Sequence, residues 1–123
     1  MHAIAAAGLA GFLVVTGIAH FLLPGYFRRL VPVWLGRGDL LVYAGGAAEI
    51  AVGALVLVPS ARAAGGWAAA GLITGYLVSH ADALRRARAD RPRLLERPVP
   101  ALARLVVNVL YIGWAVSVAR FAA

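Results

Sequence analysis

Cysteine is absent from the sequence. That excludes disulfide scaffolds, thiol–disulfide relays and cysteine-ligated metal clusters, so any redox chemistry must be carried by a bound cofactor. Lysine is absent as well: all 12 basic residues are arginine, set against 5 acids. Charge as a whole is scarce, at 14% of residues, while 63% are hydrophobic. A soluble domain of 123 residues is not built that way.

Four long apolar runs account for the imbalance, over about residues 3–23, 40–58, 63–81 and 101–119. As helix, each would be about 25–32 Å long, the thickness of a bilayer's hydrocarbon core. They predict an all-α, four-transmembrane-helix up-down bundle: an integral membrane protein with one membrane domain over residues 1–123. The first run is read as a retained helix. Met1-His2 gives no basic leader region, and the run ends at Pro24 rather than at a small-residue cleavage site.

Arginine placement predicts orientation. Only Arg62 and Arg120 fall on one side of the four runs; the other ten lie in or beside the loops 24–39 and 82–100. By the positive-inside rule those loops are cytoplasmic and both termini lie outside. The chain thus reads as multi-pass in a cytoplasmic membrane. The +7 net charge does not call for nucleic acid, because arginines beside membrane helices serve topology and lipid headgroups. The lipid bilayer is the partner the composition implies, and a protein subunit or a second copy stays open.

The first loop interleaves Tyr26, Phe27, Leu30 and Trp34 with Arg28 and Arg29, which predicts a short interfacial segment. The second is expected to continue the third helix into water as far as Arg91-Pro92. In the turn between the second and third helices, Pro59 stops one and Ser60 is the expected N-cap of the other. Small residues should mediate helix contact: Gly45 and Gly53 around Glu49, Gly71 and Gly75 with Ser79, and Gly17 beside Thr16 and His20.

One acid interrupts the second run, in "GGAAEIAVGALVLVP". The nearest charged residues to Glu49 along the chain are Asp39 and Arg62. Placed about 14 Å deep, an acid costs about 2.5–3.5 kcal/mol on insertion scales and must face the interior. The partners within reach are His20, Tyr76, Ser79, His80, Asp82, Arg104 and Asn108, of which His20, His80, Asp82, Arg104 and Asn108 fall in the cytoplasmic half. They predict a polar funnel that opens to the cytoplasm and closes at Glu49. Each has a plainer reading. His80 and Asp82 could be solvated among headgroups, Arg104 could snorkel to phosphate, and His20 could bond a neighbouring carbonyl. A haem between His20 and His80 has no spacing motif behind it. A metal held by His20, Glu49 and His80 conflicts with their unequal depths.

The stretch "GIAHFLLPGYFRRLVPVWL" resembles the first segment of DoxX-like membrane proteins, through Gly17, His20-Phe21, Pro24 and Pro32. "AEIAVGALVLVPSAR" is similar to that family's second segment, and "ARLVVNVLYIGWA" to its last, through Arg104, Asn108 and Trp114. Many of those proteins carry Gln where this chain has Asn108, and the end of the third helix departs from their pattern. The resemblance implies a small four-helix membrane protein associated with redox systems. It leads to the expectation of a lipophilic ligand such as a quinone, bound by His20, Glu49 and Asn108, with Arg104, His80 and Tyr76 as further candidates. No reaction is assigned. The alternative is a non-enzymatic partner or scaffold subunit whose polar network only orders the bundle.

Overall fold

The computed structural model describes residues 2–122. They are all-helical, with no strand among the described residues. Five α-helices follow in order: α1 His2–Leu22, α2 Pro24–Leu30, α3 Gly38–Leu57, α4 Arg62–Arg86 and α5 Pro98–Arg120. Three of them, α1, α3 and α5, are long and apolar enough to cross a membrane. The third apolar run is helical as α4, 25 residues long, but it is not among those three. Its apolar character is diluted by Gly, Thr, Tyr, Ser and His.

Helix ends follow from local chemistry. Pro24 opens α2 at the position where a missing N–H costs nothing. α3 stops at Leu57 ahead of Pro59, as expected. Ser60 does not cap α4; it sits inside a 3₁₀ turn, and the N-cap position is Ala61 with no side-chain hydrogen bond. Arg62 does the capping work in the other direction. Its Nε donates to the Val56 carbonyl at 2.9 Å, satisfying an end carbonyl of α3. α4 ends at Arg86, short of Arg91. Ala87 is extended, and Arg88 turns back to take a backbone bond from its N–H to the Glu96 carbonyl at 3.3 Å.

Packing is pairwise: α1 lies along α3, and α4 along α5. The α1–α3 pair meets backbone to backbone. A Cβ on Gly17 would stand 2.7 Å from the Gly46 carbonyl oxygen, and one on Gly46 2.8 Å from that of Gly17. Gly66 does the same for α4 and α5, where a Cβ would come within 2.8 Å of Ala119. Such approaches suit helices that gain nothing from hydrophobic exclusion in lipid.

The apolar core is concentrated at one end. Leu9, Leu13, Val56, Ala69, Ala115 and Val118 fill it. There Trp114 on α5 donates its Nε1–H to the Ala5 carbonyl at 3.0 Å, and Phe12 meets Tyr111 edge-on at 4.4 Å between centroids. At the opposite end the helices leave a hollow, and α2 packs against α3 and α4 there.

Candidate ligand cavity

The hollow has a volume of about 500 Å³ and is lined from α1, α2, α3, α4 and α5. All six sequence-predicted site residues reach it: His20, Glu49, Tyr76, His80, Arg104 and Asn108. Gly71 and Gly75 line it too, and a Cβ on either would meet nothing within 4 Å. These glycines were expected to mediate helix packing. Instead their missing side chains form the cavity wall.

His20 and Glu49 are held together by the α1–α3 crossing. His20 Nδ1 lies 2.7 Å from the Thr16 carbonyl oxygen and 3.1 Å from Glu49 Oε2. A carbonyl only accepts, so Nδ1 carries the proton and directs it to Thr16. The Thr16 hydroxyl reaches Glu49 Oε1 at 3.2 Å and the Phe12 carbonyl at 2.9 Å. Phe27 of α2 stacks on the His20 ring at 3.8 Å between centroids, 16° from parallel. Thr16 and Phe27 were not among the expected site residues. The i, i+4 spacing of Thr16 and His20 was the signal available for the first; nothing local marked the second.

Four buried side-chain polar atoms lack a hydrogen-bond partner among the described residues: Glu49 Oε2, Tyr76 OH, His80 Nδ1 and Arg104 Nε. All four belong to residues of this one cavity. A buried polar group left without a partner costs about 1–3 kcal/mol, so such atoms seldom cluster without a reason. Asn108 contributes differently, because one of its two amide N–H groups is spent on the Arg104 carbonyl at 2.7 Å. Among the described residues no three His, Cys, Asp or Glu side chains converge on a metal position.

Asp82 is not a solvated headgroup residue, nor does it pair with Arg104. It is buried, accepting from Arg85 Nη2 and Arg86 Nε, both at 2.7 Å. Arg86 in turn donates to the Arg29 carbonyl at 3.0 Å, which fastens α2 to α4. Burial pushes the Asp82 carboxyl up, but the hydrogen bonds and charges of the two arginines outweigh it and hold the group below the usual aspartate range. The latch is therefore complete above the ordinary value of 3.8 and is lost as the pH falls through the lower folded value. Asp82→Asn should speed amide hydrogen exchange over Pro24–Leu30 at neutral pH while leaving α1 and α3 unchanged. The unaltered protein should show the same loosening only on acidification; equal exchange in both proteins at neutral pH would remove Asp82 from the latch.

Residues 9–119 match the profile of a family described as a domain of unknown function (DUF8561). The chain belongs to that family. The match takes in α2, α3 and α4, nearly all of α5 and about two thirds of α1, so the DUF8561 unit contains every element that lines the cavity. No curated protein and no solved structure matches the chain at a significant level.

Proposed function

We propose that this DUF8561 protein is a four-span subunit of a bacterial cytoplasmic membrane, with both termini outside, and that it binds a lipophilic ligand such as a quinone around Glu49. The orientation rests on the arginine distribution. The reading of α4 as a span rests on its length and on Tyr76, Ser79 and His80, which spend its polarity on the cavity rather than on lipid. A redox association is supported by the resemblance to DoxX-like proteins.

The observation that carries the ligand reading is the gathering of four unpartnered polar atoms in one cavity. A quinone headgroup presents carbonyl oxygens, which need donors. Tyr76 OH and Arg104 Nε–H are buried donors lacking an acceptor, and they fit that need. Neutral His20, with its Nδ1 proton on Thr16, offers Nε2 only as an acceptor. It therefore suits a ring hydroxyl, the reduced form of such a headgroup, better than a carbonyl. Glu49 Oε2 stands beside it as the group able to exchange a proton.

A scaffold role is the second reading. The Thr16–Glu49–His20 contacts already join α1 to α3 without any ligand. Two experiments separate the readings. Mass spectrometry and a visible spectrum of the gently purified protein should reveal a co-purifying quinone. Gly75→Leu should then empty the site at no cost to packing, because the new side chain enters open space and the helix gains up to about 1 kcal/mol over glycine. A stable Gly75→Leu protein that still carries the quinone would rule out this cavity, and a protein that purifies empty would favour the scaffold.

A further inference from the structure

Next to the cavity, sharing only Tyr26, Leu30 and Arg104 with it, lies a second pocket of about 340 Å³. Five arginines reach it from separate parts of the chain: Arg29 on α2, Arg86 on α4, Arg91 and Arg93 in the connection that follows, and Arg104 on α5. Glu96 is the one acid in its wall. Cations gathered at the edge of a low-dielectric region repel one another strongly unless counter-charge is supplied.

The chain supplies little. Arg86 is taken by Asp82, which stands outside the pocket wall. Arg93 Nη1 is 3.8 Å from Glu96 Oε1, a loose pair. Among the described residues the Arg91 guanidinium donates to the Arg86 carbonyl alone, at 3.4 Å. Arg104 Nε is buried with no acceptor. Arg29 has no acid partner within ion-pair distance among the described residues, and only its backbone carbonyl is engaged, by Arg86.

We propose that this pocket is a phosphate site. Guanidinium groups bind phosphate oxygens in bidentate fashion, and several of them around a single anion relieve their mutual repulsion. The position suits a lipid headgroup, for the pocket sits where α2 and the α4–α5 connection meet the ends of the long helices. Leu30, Leu94 and Leu95 add apolar wall for the glycerol end of such a lipid. A soluble phosphate compound presents the same chemistry. The site shares Arg104 with the Glu49 cavity, and its other four arginines lie outside that cavity.

The test titrates the full chain, in neutral detergent, with short-chain phosphatidic acid, short-chain diacylglycerol and inorganic phosphate, read by native mass spectrometry. Phosphatidic acid should bind at least about tenfold tighter than diacylglycerol. Arg29→Gln combined with Arg91→Gln should weaken it by more than about tenfold, while Arg37→Gln with Arg88→Gln, the same charge removed outside the pocket, should stay within about twofold. If Arg29→Gln/Arg91→Gln does not purify, Arg91→Gln/Arg93→Gln carries the same comparison. Inorganic phosphate that displaces the lipid and binds as tightly would support the site with a soluble ligand. Equal affinity for diacylglycerol, or equal losses from the two double variants, would overturn it.

Discussion

Gly46→Ala should be among the most damaging single methyls in this protein. The added carbon would stand 2.7 Å from His20 Cβ, 2.8 Å from the Gly17 carbonyl oxygen and 2.9 Å from Phe21 Cε2. Two of those neighbours cannot yield, because one is backbone and the other the root of a side chain, so α1 and α3 must move apart. Overpacking of this kind costs about 1–3 kcal/mol. The same separation draws His20 away from Glu49 and opens the cavity wall. Thermal unfolding in detergent should drop, and binding of a short-chain quinone should fall with it. Gly11→Ala and Gly113→Ala are the controls. A Cβ at either meets nothing within 4 Å, and alanine is the better helix former by about 1 kcal/mol. Their stability should hold or rise. Equal losses at all three positions would mean that the α1–α3 contact is not close.

That crossing explains what could and could not be read along the chain. The apolar runs marked the four long helices to within about five residues, and three of those helices have the bilayer-length hydrophobicity that is a property of each segment alone. The segment around Pro24 and Tyr26–Arg29 was legible from its interleaved aromatic and arginine side chains, and it forms α2. Helix ends were less so. Arg86 rather than Arg91 closes α4 because of a backbone bond from Arg88 to Glu96, a partner eight residues on. Ser60 looked like a cap, but the turn puts Ala61 at that position.

The site was legible by residue type and not by role. A lone acid in an apolar run pointed to Glu49, and buried polar residues at matching depth pointed to the rest of the set. Depth counted along separate helices does not say which face each residue presents. Gly45 illustrates this: it was grouped with Gly53, yet Gly53 approaches Ala10 and Leu13 of α1 while Gly45 lies against the Tyr76 hydroxyl of α4. Similarly, Asn108 turns one amide N–H back onto its own helix, while the buried polar atoms left without partners belong to Glu49, Tyr76, His80 and Arg104. Which polar groups remain unpartnered is a property of the assembled helices, and no spacing rule reports it.

Tyr76 therefore gives the sharpest division between a ligand site and an ordering network. Its hydroxyl is buried against α3, near Gly45, with no hydrogen-bond partner. In a protein without ligand, Tyr76→Phe removes an unsatisfied group and should raise stability, by about 1 kcal/mol. With a ligand that accepts from Tyr76, the same change removes a hydrogen bond and should weaken binding, by about tenfold. The two effects have opposite signs and come from one atom. Thermal unfolding of both proteins, with and without a short-chain quinone, reads them together: the variant should start higher and gain less. A network that only orders the helices gives another pattern. There the hydroxyl has no partner in any state, so Tyr76→Phe would again start higher, but the quinone would shift neither protein. A variant that starts higher but gains as much as the unaltered protein would place the ligand elsewhere in the cavity, against Arg104 and His80 rather than Tyr76.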